Sequence, residues 1–398
     1  GGGTTAGGGA HRADAGEGPG VTCRSTRSLY TPPRLTRASM RNRCDVFVVG
    51  AGPAGSTAAR YAAEEGLAVF LIDKRLEIGV PVCCGEFNAA PAVLAEALPG
   101  APGLDELFPI DPGLVQRVIR GFVVTSPKGR EYEFDLDGYT VNRDAFDQHL
   151  ADAAVRAGAV LSPDTKFLGR EGRRITTSRG DVEAPVVIAA DGPLSPVCRS
   201  AGMERSAVLA PAITCQVEGE FGDRLQLFFG NRIAPGGYAW VFPKRGRANV
   251  GLGVQRPAMP VPVLLKSFLS KRGFTARDIQ AGFVPVSGPI RETVRENVIA
   301  VGDAAGHVVA SNGGGIATAM ICGRIAGLAA AGHLLRGEPL DAYEREWRSA
   351  VGRELLAAAR TKRLADRILR SDLLLEQAMV MLGNSGIRNI ILLGGRMR

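Results

Sequence analysis

Aromatic side chains are scarce in this sequence: Phe, Trp and Tyr make up 6% of its 398 residues, with only 2 Trp and 6 Tyr. Any place where they gather therefore stands out. Long apolar runs are missing as well. No stretch reaches the roughly 18 consecutive apolar residues of a bilayer span, so no segment is expected to cross a membrane. Cysteines in the paired spacing of a structural metal site are absent. The 7 Cys (23, 44, 83, 84, 198, 215 and 322) are odd in number and scattered, without the spacing of a metal site. That pattern predicts a reducing compartment and no metal centre. Basic charge is missing from the body of the chain. The formal net charge is +8, yet residues 1–43 carry +5, residues 351–398 carry +5 and everything between carries −2. A nucleic-acid enzyme spreads basic residues through its body, so no nucleic-acid partner is expected. What remains is 45% hydrophobic and 22% charged. Such a chain has ample core for about two domains, which excludes a disulfide mini-protein, a collagen and a wholly disordered chain.

Residues 1–43 form a Gly-rich stretch followed by one rich in Arg, Ser and Thr. Such a composition buries too little apolar surface to offset the entropy of ordering it. It reads as a disordered or non-native extension with Met40 as the natural start, or as an Arg- and Ser-rich, acid-poor transit peptide.

Beyond it, Asp45-Val-Phe-Val-Val49 is a short β-branched run of the kind that makes a buried parallel strand. It feeds Gly50-Ala-Gly52-Pro-Ala54-Gly55, an Ala-rich helix and a second buried strand, Ala68 to Ile72, that ends at Asp73. Gly50 permits the tight turn, Gly52 lets the backbone approach a pyrophosphate, and Gly55 lets helix and strand pack closely. The helix N-terminus offers free N–H groups to phosphate, and Asp73 stands 21 residues beyond Gly52, where a carboxylate meets an adenosine ribose. Far downstream, Asn297-Val-Ile-Ala-Val-Gly-Asp303 is another buried strand ending in a carboxylate. Gly313-Gly-Gly315-Ile316 follows, with a small-residue helix from about Ala317 to Leu335. A strand-end carboxylate can hold ribityl hydroxyls, and a Gly-rich helix start aims its dipole at phosphate or at a flavin pyrimidine edge. An Asp cap and packing glycines would explain either end alone, but not both together.

At these residues the sequence resembles the p-hydroxybenzoate hydroxylase superfamily of FAD proteins. The resemblance implies FAD, held by Gly50, Gly52, Ala54, Gly55, Asp73 and Lys74 at one end and by Asp303, Gly315 and Ile316 at the other. Tyr139 to Leu150 resembles the superfamily segment in which an Arg at a helix start, here Arg143, contacts FAD. An alternative is an Arg paired with Asp144 and Asp147 on a solvated face. Val186 to Arg199 resembles the Asp-Gly motif, with Asp191 at a strand end beside the cofactor, and Phe167 opens the strand whose backbone meets the adenine.

Two further segments are more specific. Pro81-Val-Cys83-Cys84-Gly85-Glu86 and Pro235-Gly-Gly-Tyr238-Ala-Trp240-Val-Phe242-Pro243 fit the Pro-x-x-Cys-Gly and Pro-x-x-Tyr-x-Trp-x-Phe-Pro patterns. The chain from Asp45 to about Leu335 thus resembles the geranylgeranyl reductases, especially the archaeal-type enzymes that saturate digeranylgeranylglycerophospholipids. Cys84 and Gly85 then lie near the flavin. Tyr238, Trp240 and Phe242 alternate in a strand and project from one sheet face. They read as the wall of a long apolar substrate tunnel, or else as an ordinary core strand. Reducing an isolated alkene needs hydride and a proton, with positive charge developing on the tertiary carbon. Aromatic faces stabilise such charge by roughly 0.5–2 kcal/mol each. Cys84, Tyr238 and a flavin-bound water are the candidate proton donors; Cys84, Tyr238 and Trp240 are the catalytic candidates. Cys83 and Cys84 are adjacent and unsuited to a disulfide. Glu86 reads as a supporting acid or a cap, and His307 as a proton relay or a packed residue.

The expected fold class is α/β: a Rossmann-like FAD-binding domain of the p-hydroxybenzoate hydroxylase type, an interleaved antiparallel-sheet substrate domain and a C-terminal helical region. The FAD domain is expected from 44–113, 139–204 and 291–337, the substrate domain from 114–138 and 205–290, and the helical region from 338–398. That last region alternates apolar and Arg-rich stretches, which suits an anionic bilayer surface or a cap over the tunnel. The function expected is FAD-dependent saturation of geranylgeranyl C=C bonds in a membrane lipid or its precursor, in the cytoplasm or peripherally on the membrane. NAD(P)H or a ferredoxin would supply electrons, since no second nucleotide motif is visible. Reduction of geranylgeranyl diphosphate, chlorophyll or menaquinone side chains is the same chemistry. A flavin monooxygenase or halogenase, and a flavoprotein passing electrons to a quinone, are the alternatives from other classes.

Overall fold

The computed structural model describes Gly1, residues 42–255 and residues 257–393. The expectations for residues 2–41, Met40 included, lie outside the described residues. Asn42 and Arg43 already belong to the fold: Arg43 bridges Glu183, and the Glu183 N–H donates to the Asn42 carbonyl (2.8 Å).

In chain order, β1 (Val46–Val49), α1 (Pro53–Glu64) and β2 (Val69–Ile72) form the opening βαβ unit. Next come β3 (Phe87–Ala89), α2 (Pro91–Ala97), α3 (Leu104–Leu107) and a long hairpin, β4 (Val115–Thr125) and β5 (Glu131–Val141). After α4 (Arg143–Arg156) and β6 (Val160–Ser162), a meander of β7 (Phe167–Glu171), β8 (Arg174–Thr177) and β9 (Gly180–Glu183) leads to β10 (Val186–Ala189) and α5 (Pro196–Ser200). The chain then lays down β11 (Leu209–Glu218), β12 (Arg224–Phe229), β13 (Tyr238–Lys244), β14 (Arg247–Gly253), α6 (Val261–Ser270) and β15 (Ala276–Pro285). It returns through β16 (Val294–Arg295), β17 (Val298–Ala300) and α7 (Ile316–Arg336), and ends in α8 (Ala342–Trp347), α9 (Arg353–Ile368) and α10 (Asp372–Leu393).

Two large sheets result. The first has the order β16-β17-β10-β1-β2-β6 and is parallel apart from the β16–β17 pair. The chain moves from β1 to β2 on one side and places β10 on the other, so the end of β1 lies at a topological switch point, where α/β sheets bind ligands. The second sheet has the order β15-β11-β14-β13-β12-β4-β5-β3 and is antiparallel apart from β12 with β4. Its membership refines the domain limits read from sequence. β3 lies within 44–113 and β5 runs on to Val141, yet both pair in this sheet.

The second sheet is covered on both faces. Val241, Val250 and Leu252 pack against Leu264, Leu265 and Phe268 of α6. On the other face Phe122, Phe134, Trp240 and Phe242 pack against Leu375, Met379 and Ile387 of α10. The C-terminal region is thus a cap over the rings, pinned at both ends. Asp372 accepts hydrogen bonds from the Asn231 backbone and side-chain amides (2.8 Å each), and the Asn312 side-chain amide donates to the Ile391 carbonyl (2.7 Å).

In the first sheet's helical layer α1 and α7 nearly touch. A Cβ at Gly323 would lie 2.4 Å from the Ala54 carbonyl oxygen, and one at Gly327 would lie 2.5 Å from that of Ala58. Among the described residues α7 alone has the length and hydropathy to cross a membrane, and 72% of its apolar window is buried in this packing. Replacing Gly327 with Val forces the two backbones apart. The expected loss is about 2–3 kcal/mol in urea unfolding, with Gly222→Ala, in an exposed loop where a Cβ would meet nothing, as the mild comparison.

Candidate active site

The ends of β1 and β17 bring two uncapped helix N-termini together. Gly50 (φ +102°) turns the chain beneath Ala190, and a Cβ at Gly55 would lie 1.8 Å from the Gly50 carbonyl oxygen. Gly52, by contrast, faces open space at the start of α1 and supplies no side-chain cap. Ala54 sits in the α1–α7 crossing. Gly315 precedes α7, again without a side-chain cap, and Ile316 begins the helix. N–H groups at both starts are thus available to a ligand's phosphate or pyrimidine oxygens.

Four carboxylates surround this cradle. Each oxygen of Asp73 accepts one backbone N–H, from Ala51 (2.9 Å) and Arg75 (2.8 Å), and a lone pair on each stays free. Lys74 beside it is exposed. The Thr165 N–H donates to the Asp73 carbonyl (2.8 Å), which brings the chain entering Phe167 and β7 against the end of β2. Asp191 behaves as a cap: the Ser195 hydroxyl and the Val197 N–H (3.1 Å) take its two oxygens at the start of α5. Asp147 holds the Arg143 guanidinium in a two-pronged pair (3.0 Å each). This pair is buried, with Arg143 15% and Asp147 5% exposed, where the sequence alternative placed it on a solvated face. The Asp303 carboxyl makes no hydrogen bond among the described residues. Burial pushes it from the usual 3.8 up to about 6, against the pull of the Arg143 charge.

On the far side of Arg143 lies the Cys84 turn. Arg143 faces the Cys84 sulfur, which also accepts the Glu86 N–H (3.2 Å). Gly85 rests on a ring of β13, where a Cβ would lie 2.8 Å from Phe242. The rings form a continuous row: Phe229, Tyr238, Trp240, Phe242, Phe87 and Phe122 follow one another at centroid distances of 5.7, 6.1, 6.2, 6.3 and 5.8 Å. Gly251, opposite Trp240 on β14, leaves room for the indole, since a Cβ there would lie 2.4 Å from it. Tyr238 reaches across to the loop before α7 and donates its hydroxyl to the Asn312 carbonyl, and burial pushes this phenol up to about 12.

A buried polar cluster anchors turn and rings together, and most of it escapes a reading of the sequence alone. Glu86, 2% exposed, pairs with Lys244, 1% exposed, at 2.8 Å. It also accepts from the Arg143 N–H (3.0 Å), Asn249 (2.8 Å) and Gln216 (2.9 Å). Burial pushes the Glu86 carboxyl up, but Lys244 and these donors outweigh it and hold the group below its usual range. Burial lowers the Lys244 ammonium. The signal for Lys244 lies in strand alternation, which puts it on the face of Trp240 and Phe242. His307 proves to be packed. It is fully buried 4.6 Å from the Trp347 ring, with no hydrogen bond to either ring nitrogen among the described residues, and burial drives it down to about 3. Burial this deep disfavours its charged form.

Comparison with known proteins bears on this arrangement. Residues 211–283 match the geranylgeranyl reductase catalytic domain, and residues 48–88 match an NAD(P)-binding Rossmann-like domain. A digeranylgeranylglycerophospholipid reductase of Methanothrix thermoacetophila is 38% identical over 83% of this chain and 90% of its own. That of Methanocaldococcus jannaschii is 35% identical over 83% and 88%. A geranylgeranyl bacteriochlorophyll reductase-like structure from Thermoplasma acidophilum superposes with a TM-score of 0.73 at 28% identity, over 87% of this chain and 98% of its own. The flavin-dependent brominase Bmp2, at 18% identity and a TM-score of 0.66, shares the fold alone. At such identity over most of both chains, the chain belongs to the digeranylgeranylglycerophospholipid reductase family.

Proposed function

We propose that the protein is an FAD-dependent reductase that saturates isoprenoid C=C bonds in geranylgeranyl chains of an archaeal-type phospholipid or its precursor. The observation that carries this is the junction of the Cys84–Gly85 turn with the ring row of β13, beside two open helix N-termini. The cradle fits FAD: Gly52 admits close approach to phosphate, the start of α7 at Gly315 carries no side-chain cap, Asp73 retains free lone pairs for ribose, and the unpartnered Asp303 suits ribityl hydroxyls. When bound and reduced, FAD supplies a hydride equivalent.

The chain's own residues do the remainder. The rings exclude water from an alkene and stabilise positive charge on its tertiary carbon. The proton comes from Cys84 rather than Tyr238, because the Tyr238 hydroxyl is already engaged with the Asn312 carbonyl. The Arg143 guanidinium offsets the charge left on sulfur. Asp191, which caps α5, supports the cofactor pocket through the turn at Gly192. Electrons arrive from NAD(P)H or a ferredoxin. Exposed Leu364, Leu373, Leu374 and Met381, beside exposed Arg360, Arg363, Arg367 and Arg370, suit contact with an anionic bilayer that holds the substrate.

Anaerobic incubation of dithionite-reduced, FAD-loaded protein with geranylgeranylglyceryl phospholipid should add one H2 per double bond by mass spectrometry. In that assay Cys84→Ala should cost about 10²–10⁴-fold in kcat and Tyr238→Phe about tenfold or less. An unchanged lipid mass, from protein that still oxidises in air or with quinone, would favour the monooxygenase or electron-carrier reading.

Asp303 gives a pH signature. Its folded pKa lies above its unfolded one, so the folded state binds the extra proton, and its contribution to stability falls as pH rises from about 4 to about 6. Asp303→Asn should therefore stabilise the FAD-free protein above pH 6, by up to ~3 kcal/mol in denaturant titrations, while weakening FAD retention.

Flotation with anionic vesicles should recover the protein at low salt, and replacing Leu373, Leu374 and Met381 with Ser should abolish recovery without affecting FAD content.

A further inference from the structure

Asn249, fully buried on β14, uses its whole hydrogen-bonding capacity. Its side-chain oxygen accepts from the Trp240 indole N–H (2.7 Å) and the Thr214 hydroxyl (2.9 Å). Its amide nitrogen donates to the Cys84 carbonyl (2.9 Å) and to Glu86 (2.8 Å). The orientation is not interchangeable. An indole N–H can only donate and a peptide carbonyl can only accept, so a flipped amide would lose both bonds and face two oxygens with a third. The Glu86 carboxylate, ionised against Lys244, is acceptor-only and enforces the same direction. Glu86 itself sits at φ +65°, a left-handed conformation that a non-glycine residue keeps only when its surroundings hold it. One amide thus ties the turn bearing Cys84 to the strand bearing Trp240, two segments more than 150 residues apart in sequence.

We propose that Asn249 is a positioning residue for the reduction, holding the Cys84 sulfur and the Trp240 ring in one register across the substrate, with the Glu86–Lys244 pair fixing the direction of its amide. This rests on the functional reading above. It assigns the pair a role other than proton transfer: among the described residues neither the Glu86 nor the Lys244 side chain hydrogen-bonds the Cys84 sulfur, and both act through Asn249 and the backbone.

Asn249→Asp changes one atom group, placing an oxygen where the amide donates. In the full FAD-loaded chain it should lower kcat for prenyl reduction by about 10²-fold, the scale of a misplacement near 1 Å, with KM and FAD content close to wild type. A raised KM with kcat unchanged would overturn the proposal, because it would place Asn249 in substrate binding instead of in the register of sulfur and ring. Asn249→Ser serves as a second probe, too short to reach the Cys84 carbonyl. It should retain FAD, lose kcat comparably and raise the rate of Cys84 alkylation by iodoacetamide several-fold, read by peptide mass mapping. Wild-type kcat or an unchanged alkylation rate in that variant overturns the proposal, as does loss of FAD, which would make Asn249 a folding residue. If wild type itself reduces no prenyl lipid, the functional reading fails, and the alkylation comparison still decides the register.

Discussion

Taking a carboxylate out of water is tolerable only where its oxygens are fully partnered, and the Glu86 side chain imposes that condition on the middle of the molecule. Satisfying it requires Lys244 from the end of β13, Asn249 from β14, Gln216 from β11 and the first N–H of α4 to converge. The last of these is also a helix-capping interaction. Asn142 provides no side-chain cap for α4, and the Glu86 carboxylate takes its place at the positive end of the helix. The helix so anchored presents Arg143 between Cys84 and Asp303. A single desolvation constraint therefore couples the second sheet to the cofactor side of the first, and explains why an ionic cluster lies beneath an otherwise apolar wall.

That wall serves two ends. The ring row of β13 is core as well as site, since Leu375, Met379 and Ile387 of α10 pack directly against it. Close packing raises stability by removing apolar surface from water, and the same dryness strengthens the interaction of aromatic faces with developing charge. Gly383 interrupts α10 at φ +58°, so the helix bends over the sheet instead of running straight past it. Its far end meets the Asn312 loop, which also receives the Tyr238 hydroxyl. The cap, the rings and the start of α7 are thereby joined through one asparagine.

Features built from neighbours along the chain are legible in the amino-acid sequence. The β1–α1–β2 unit, the Gly-rich start of α7 and the alternation of Tyr238, Trp240 and Phe242 follow from period and glycine spacing within short windows. Glu86 is visible there only as an acid beside Cys84, because its partners lie between 57 and 163 residues away. Strand register decides which of them meet, and one window cannot supply it. Asp191 shows the converse. Its motif announces a cofactor neighbour, and each of its oxygens also accepts one local donor, from Ser195 and from Val197, a capping geometry that the spacing Asp191–Ser195 already permits. For His307, proximity to the Gly302-Asp303 turn suggests exposure to the flavin, but Trp347, forty residues on, fills the space beside it.

The sharing of this fold with a flavin-dependent brominase locates the determinant of chemistry outside the sheets themselves. What the fold provides is a cradle of two helix N-termini facing a second sheet. What the reaction requires is decided where that sheet meets the cradle. A water-filled junction would let protons reach a reactive centre from any side. Here Gly85 lies directly on Phe242, and a side chain at that position would collide with the ring. The closeness leaves Cys84 at the seam between the apolar wall and the charged Arg143–Asp147 pair. The Cys84 sulfur at that seam faces the Arg143 guanidinium beside the ring row, and the proposed reduction of an unactivated alkene rests on this junction.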